Sequence, residues 1–252
     1  MKKNIWEQEF LVNSFLVNPQ KKLGIYALLN VLQDAAWMHA TDMGHGHSET
    51  LASNTAWALT RQRVVMEHWP HWGEKITVRT WVRPLIGPFA VRDFEIIKNK
   101  NIIGTATTSW VLIDLEKRTA VLGDLSALPF EPRTDFQLSY DTKKIQIKDA
   151  LIKRADFEVR NSDLDMNEHV NNTRYVQWLL DSIPRDWHKN FLLKSYDVNF
   201  VAETHAGDVI EIFMSPERPD EKSPFIVQFQ GKRQTKVVFT AEMNVANASM
   251  AE

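Results

Sequence analysis

The sequence predicts an α+β protein in which one unit, a helix wrapped by an antiparallel sheet, occurs twice. Three observations carry this. A short strand, a long amphipathic helix and a meander of strand-like stretches follow one another in the first half of the chain. The same order returns in the second half. A turn also recurs at the matching place, His71-Trp72-Gly73-Glu74-Lys75-Ile76 and His205-Ala206-Gly207-Asp208-Val209-Ile210. A helix with an apolar stripe must bury it, and here only a sheet is on offer.

The elements are justified in order. Phe10-Leu11-Val12 opens the first unit. A helix is expected from about Ile25 to Met43, with Leu28, Leu29, Leu32, Ala36, His39 and Met43 as its stripe at helical spacing. Strands are expected at Trp57–Glu67, Lys75–Val82, Ala90–Ile97 and Ile103–Ile113, rich in Val, Ile, Thr and Trp. Lys98-Asn99-Lys100-Asn101 reads as a hairpin turn. Leu128-Pro129-Phe130-Glu131-Pro132-Arg133-Thr134-Asp135 reads as a linker, its two prolines disfavouring regular structure. The second unit begins with a strand at Ala155–Arg160 and a helix near Asn171–Ile183. Tyr175, Trp178, Leu179 and Ile183 form the helix stripe and Pro184 closes it. Strands follow at Lys194–Ala202, Val209–Met214, Phe225–Gln230 and Lys236–Val245. Two such units make a tandem hot-dog, divided as domain 1–130, linker 131–152 and domain 153–252.

Composition excludes much. With 44% hydrophobic and 25% charged residues in 252, the chain is an ordinary soluble globular protein. No apolar run reaches the roughly 20 residues of a membrane span. The N-terminal run Met1-Lys2-Lys3-Asn4-Ile5-Trp6-Glu7 lacks the apolar core of a signal peptide. A net charge of −2 offers no bulk attraction for nucleic acid. There are no cysteines, which rules out disulfides, thiolate metal sites and a cysteine nucleophile. His45-Gly46-His47 with Asp42 is too sparse a donor set to suggest zinc. Asn247-Ala248-Ser249 has only the form of a glycosylation signal.

The run Asp163-Leu164-Asp165-Met166-Asn167-Glu168-His169-Val170-Asn171-Asn172 stands out. It sets a carboxylate, a carboxamide and an imidazole at alternate positions, Asp165, Asn167 and His169. In an extended segment these share one face, just ahead of a helix N-terminus whose free N–H groups favour negative charge. Helix-start and turn chemistry also uses strings of Asn and Asp, so both readings stand on the residues alone. The matching stretch of the first unit, Val17-Asn18-Pro19-Gln20-Lys21-Lys22-Leu23-Gly24, holds neither histidine nor carboxylate.

This run, with the Asp-Ser-Ile-Pro that follows its helix, resembles the acyl-acyl carrier protein (acyl-ACP) thioesterases. So do Ala56-Trp57-Ala58-Leu59-Thr60-Arg61, Trp69-Pro70-His71-Trp72-Gly73-Glu74, Thr80-Trp81, Arg92-Asp93, Thr108-Ser109-Trp110-Val111 and Asn199-Phe200-Val201-Ala202-Glu203, in the family's order. The resemblance covers nearly the whole chain and implies the tandem hot-dog. It also singles out Glu203, which taken alone would read as a solvated strand end. In the family an essential Glu at this place precedes a Cys once considered a nucleophile; here the pair is Glu203-Thr204.

The resemblance implies hydrolysis of fatty acyl-ACP, releasing the fatty acid and ending its synthesis. Asp165, Asn167, His169 and Glu203 are the expected catalytic set. Glu203, partly desolvated between helix and sheet, acts as general base or nucleophile. His169 protonates the leaving thiolate, Asp165 orients its partner and Asn167 serves the oxyanion. A thiolate leaves readily, so neither cofactor nor metal is needed. The partner is an acidic carrier protein, with Arg61, Arg63, Arg79 and Arg83 as docking candidates. Trp37, Met38, Trp57 and Trp81 are either walls of an acyl tunnel or plain core. An acyl-CoA thioesterase of the same fold and a non-catalytic acyl-binding module are the alternatives. Plant relatives carry a transit peptide; its absence here points to a bacterial cytoplasmic protein or a trimmed chain. Monomer and homodimer are both compatible with two units in one chain.

Overall fold

The computed structural model describes residues 4–121, 131–148, 150–216 and 224–248. Residues 128–130 of the expected linker, the first three of the N-terminal run and Ser249 lie outside them. The chain divides into two compact units, residues 1–142 and 143–252.

In the first unit, β1 (Ile5–Leu11) leads to α1 (Ile25–Asp42) and a short α2 (His47–Ala52). Then come β2 (Thr55–Met66), β3 (Lys75–Val82), β4 (Ala90–Lys98), β5 (Asn101–Asp114) and the two-residue β6 (Thr119–Ala120). The strands are antiparallel in the order β1-β3-β4-β5-β2, with β6 on β5. All six members of the expected α1 stripe are buried. The polar one, His39, meets the Arg92 guanidinium at 2.8 Å through Nδ1. Burial pulls Arg92 down to about 9, still cationic at neutral pH. The β4–β5 hairpin turns through Asn99 and Lys100, both at positive φ, as a tight two-residue turn requires.

The second unit repeats the plan. β7 (Ile152–Glu158) leads to a single 3-10 turn (Asn161–Asp163), then α3 (Arg174–Ser182), a one-turn α4 (Trp187–Asn190) and β8 (Phe191–Phe200). β9 (Val209–Met214), β10 (Phe225–Arg233) and β11 (Lys236–Asn247) complete an antiparallel sheet in the order β8-β11-β10-β9-β7. In β9 the alternate residues Ile210, Ile212 and Met214 are fully enclosed. Each such side chain contributes roughly 1.5–3 kcal/mol. Tyr175, Val176, Trp178 and Leu179 bury one face of α3, while Ile183 lies one residue past its end. The short elements α2, β6 and α4 had no periodicity long enough to announce them.

The repeated turn is the same in both units down to its hydrogen bonds. Glu74 N–H donates to His71 O, and Asp208 N–H to His205 O, both at 3.1 Å. The Glu74 and Asp208 carboxylates each accept the amide at the turn's start, from His71 (2.8 Å) and His205 (3.0 Å). Gly73 and Gly207 sit at φ +83°, where a β-carbon would be strained.

Residues 131–148 run without helix or strand, yet the sheets grip them. Arg83 makes a bidentate pair with buried Asp93 (2.6 and 2.8 Å) and donates to Tyr140 O, while Asp93 accepts Leu138 N–H. In the second unit Asn199 accepts Ile145 N–H and Gln228 accepts Lys148 N–H. Trp81 is core, edge-on to Phe136 and covered by Arg133. Trp37 and Met38 are exposed, on the outer side of α1.

Candidate active site

The segment holding Asp165, Asn167 and His169 is a tight turn, the second of the two readings the residues allow, and not the extended run that their alternation suggests. Leu164 and Val170 pair as an isolated antiparallel bridge. Between them Asp165 N–H donates to His169 O at 2.8 Å and Glu168 N–H to Asp165 O at 3.1 Å. The Asp165 carboxylate accepts Asn167 N–H at 2.8 Å and His169 N–H at 3.4 Å through one oxygen, Oδ1. Glu168 takes φ +61°. The physical reason is that a short acidic side chain captures amides two and four residues on and bends the chain before a strand can form. The Asp165 contact to His169 is thus to its backbone.

The first unit contains the same turn. Val17 and Leu23 form the bridge. Asn18 N–H donates to Lys22 O and Lys21 N–H to Asn18 O. Asn18 Oδ1 accepts Gln20 N–H and Lys22 N–H at 3.0 and 3.1 Å, and Lys21 has φ +58°. Asn18, Gln20 and Lys22 therefore stand where the second unit has Asp165, Asn167 and His169.

Glu203 arrives from the end of β8. That strand stops at Phe200, short of the expected Ala202, because Val201 and Ala202 N–H both turn to Val238 O. The next residues sort by alternation. Thr204 is fully buried; its carbonyl accepts Val170 N–H at 3.1 Å and its hydroxyl bonds Tyr175 Oη at 2.6 Å. Glu203 and His205, on either side, are exposed. Burial pushes the Tyr175 phenol up to about 12, with the Asp208, Asp165 and Glu203 carboxylates adding to the rise. It stays a neutral hydroxyl under the site.

These turns bring His169 and Glu203 together, with Nε2 3.8 Å from Oε2. They are 31% and 43% exposed, so Glu203 is more open than the desolvated carboxylate expected. Asn167 is exposed on the turn. His205, which sequence reasoning placed only in a turn, packs its ring against His169 at 5.0 Å and 64°. Its spacing of two from Glu203 was the signal. Burial works against the Asp208 carboxylate, but the His205 amide and Arg233 more than offset it. They hold the carboxyl below its usual range and anchor the backbone of His205.

Two of the four docking arginines, Arg83 and Arg79, need correction. Arg83 is 2% exposed and occupied by Asp93 and Asp141. Arg79 is paired with Glu7 and Glu95. Arg61 and Arg63 lie over the rings of Phe89 and Tyr140. His45 belongs to none of the close donor groups found among the described residues, and the side chain of His47 lies outside them. No helix among the described residues is long and apolar enough to cross a membrane.

Residues 3–124 match the acyl-ACP thioesterase N-terminal domain, and residues 143–248 the acyl-ACP thioesterase C-terminal domain. The chloroplastic oleoyl-acyl carrier protein thioesterase 2 of Arabidopsis thaliana is 29% identical over 236 residues, covering 86% of this chain. This chain spans 64% of that plant protein's length. An acyl-ACP thioesterase crystal structure from Bacteroides thetaiotaomicron has a TM-score of 0.80 and 26% identity over 96% of this chain and 98% of its own. The 12:0-ACP thioesterase from Umbellularia californica, at 20% identity over 98% of this chain and 95% of its own, shares the fold with a TM-score of 0.85. With both domains matched in order across nearly its whole length, the chain belongs to the acyl-ACP thioesterase family.

Proposed function

We propose that this protein hydrolyses the thioester of fatty acyl-ACP, releasing the free fatty acid and so ending its synthesis. One observation carries the reading: Glu203 and His169, from separate segments, open to solvent with their reactive atoms 3.8 Å apart. Glu203 takes the proton of an attacking water, or attacks the carbonyl itself to form an anhydride that water then cleaves. His169 delivers a proton to the departing thiolate. The Asn167 carboxamide donates to the oxyanion. Asp165 is a positioning residue: it holds the turn and the backbone of His169, and its negative charge favours the imidazolium from which the proton is given. The enclosed hydroxyl of Thr204 supports Glu203, rather than its neighbour, as the reactive group. Because both carboxylate and imidazole are partly solvated, the acyl chain and its carrier must supply the desolvation that strengthens these contacts.

The C-terminal unit, residues 143–252, is the catalytic domain, and the N-terminal unit, 1–142, serves the acyl chain. Lys22 and Trp69 in place of His169 and Glu203 support that division. The carrier protein is the partner and the cytoplasm the place of action. Fatty-acid release from a panel of acyl-ACPs and matching acyl-CoAs, wild type beside Glu203→Ala, tests the reading. The variant should lose about 10²–10⁴-fold in turnover on acyl-ACP. Near-normal turnover in a folded Glu203→Ala protein would overturn the mechanism, and hydrolysis of CoA esters alone would overturn the partner.

A further inference from the structure

The reactive pair has a third neighbour that thioester hydrolysis does not use. Glu203 and His205 flank buried Thr204, so alternation turns both to the same outer side. His169 comes from the turn bridged to this segment through Val170 N–H and Thr204 O. One donor atom from each of the three residues lies within 4.8 Å of the others. We propose that His169, Glu203 and His205 form a reversible site for a transition-metal dication, Zn²⁺ above all, whose occupancy shuts hydrolysis off. The inhibitory part rests on the hydrolase reading above.

The donor set argues for this class of ion. Two imidazoles and a carboxylate suit zinc and its neighbours in the first transition row, whereas Mg²⁺ and Ca²⁺ favour all-oxygen sites. Zn–N and Zn–O bonds of about 2.0–2.2 Å set tetrahedral ligands roughly 3.4 Å apart. His169 Nε2 and Glu203 Oε2 are already near that at 3.8 Å. The remaining contraction falls to side chains that are at least partly exposed. Three protein ligands leave a fourth position for water, and the solvent exposure of the site admits a hydrated ion. The same turn in the first unit carries Lys22 at the first ligand position, so a cation is repelled there. Here the metal competes with the reaction: a coordinated Glu203 is no longer a free base and a coordinated His169 cannot deliver a proton.

The test uses the whole chain stripped with EDTA. Zn²⁺ binding is measured by competition with a colorimetric chelator, and fatty-acid release from acyl-ACP is followed as Zn²⁺ is added. One ion per chain should bind, and inhibition should follow occupancy and reverse with EDTA. His205→Ala should raise the half-inhibitory Zn²⁺ concentration, scaled to that variant's own metal-free rate, by at least about 10-fold. Even an outer partner of a metal site is worth that much. Glu203→Gln should weaken binding in the same way. Absent stoichiometric binding, unchanged zinc sensitivity in His205→Ala, or a rate that rises with Zn²⁺ would each overturn the proposal. A chain that binds Zn²⁺ through these residues but hydrolyses no thioester would refute the hydrolase reading, and the inhibition with it, while leaving the site.

Discussion

Asn18 in the first unit and Asp165 in the second each organise a turn by the same four hydrogen bonds, and only one of those turns carries a reactive pair. The comparison separates two roles that the run from Asp163 to Asn172 mixes together. What Asn18 does without a charge, Asp165 need not be charged to do. What His169 and Glu203 offer has no counterpart in Lys22 and Trp69, so the turn does not require it. The backbone is a shared scaffold, and the chemistry is laid on one copy of it.

The sharpest way to break this comparison is to give the second turn the residue of the first. His169→Lys should leave the turn intact, since Lys22 occupies it, and should lower turnover by about 10²–10⁴-fold, because an ammonium on a long flexible stem gives up its proton far less readily than the imidazole it replaces. A melting temperature close to wild type with turnover reduced on acyl-ACP is the expected pair of readings. A large loss of stability would mean the turns are not interchangeable. Asn167→Ala comes next, at roughly 10²–10³-fold in turnover for one oxyanion donor. Gln20→Ala, at the matching place in the first unit, should leave the rate unchanged.

Asp165 tests the division within a single residue. Asp165→Asn keeps an acceptor for the two amides, as Asn18 does, so the fold should hold. Turnover should fall about 10-fold, roughly 1.4 kcal/mol in the barrier, through loss of the negative charge beside the site. Asp165→Ala removes the acceptor as well and should cost about 1 kcal/mol of stability in addition. Denaturant unfolding beside turnover for the two variants distinguishes the charge from the cap. Equal stability in both would mean that the side-chain acceptor does not matter to the turn.

How much of this was legible in the sequence follows from the range of the interactions concerned. The α1 stripe and strands β3 and β9 have boundaries or faces that hydrophobic period alone settles, because burial of one face dictates them. The residues alone leave the segment at Asp165 open between an extended run and a turn, because the deciding event, capture of two amides by one carboxylate, leaves no periodic trace. Asn18-Pro19-Gln20-Lys21-Lys22 was a clue in plain view, since a Pro-Gln-Lys-Lys segment does not suggest a strand. Glu203 could be chosen only by resemblance. Its meeting with His169 depends on where β8 stops, and that is set by Val238 across the sheet. His205 does not stand out in the sequence because the turn motif already accounts for it.

The two Gly turns extend the comparison to acid. The Lys98 ammonium holds the Glu74 carboxyl below its usual range, helped by the His71 amide, and Asp208 is held down by the His205 amide and Arg233 against its burial. Both folded values lie below the unfolded ones, about 4.3 and 3.9. Their stabilisation is therefore complete above about pH 4.3 and is lost as pH falls through the lowered folded values. Melting temperatures between pH 5 and pH 3 should fall less steeply in Asp208→Asn and in Glu74→Gln than in wild type. A slope changed by one variant and not the other would show that the turns share geometry without sharing energetics.

The smallest effect is expected where the two copies differ most in appearance. Around its turn the first unit exposes Leu11 (52%), Phe15 (93%) and Trp72 (58%). The second unit has Glu158, Ser162 and Ala206 at the matching places. Large apolar side chains so open to water bury little, and the second unit forms the same turn without them. Phe15→Ser and Trp72→Ala should therefore each change unfolding free energy by no more than about 0.5 kcal/mol. Denaturant titration of the two variants checks this. A loss of 2 kcal/mol or more at either position would mean that the side chain is packed in solution, and that the first turn owes its shape to apolar contact where the second relies on hydrogen bonds alone.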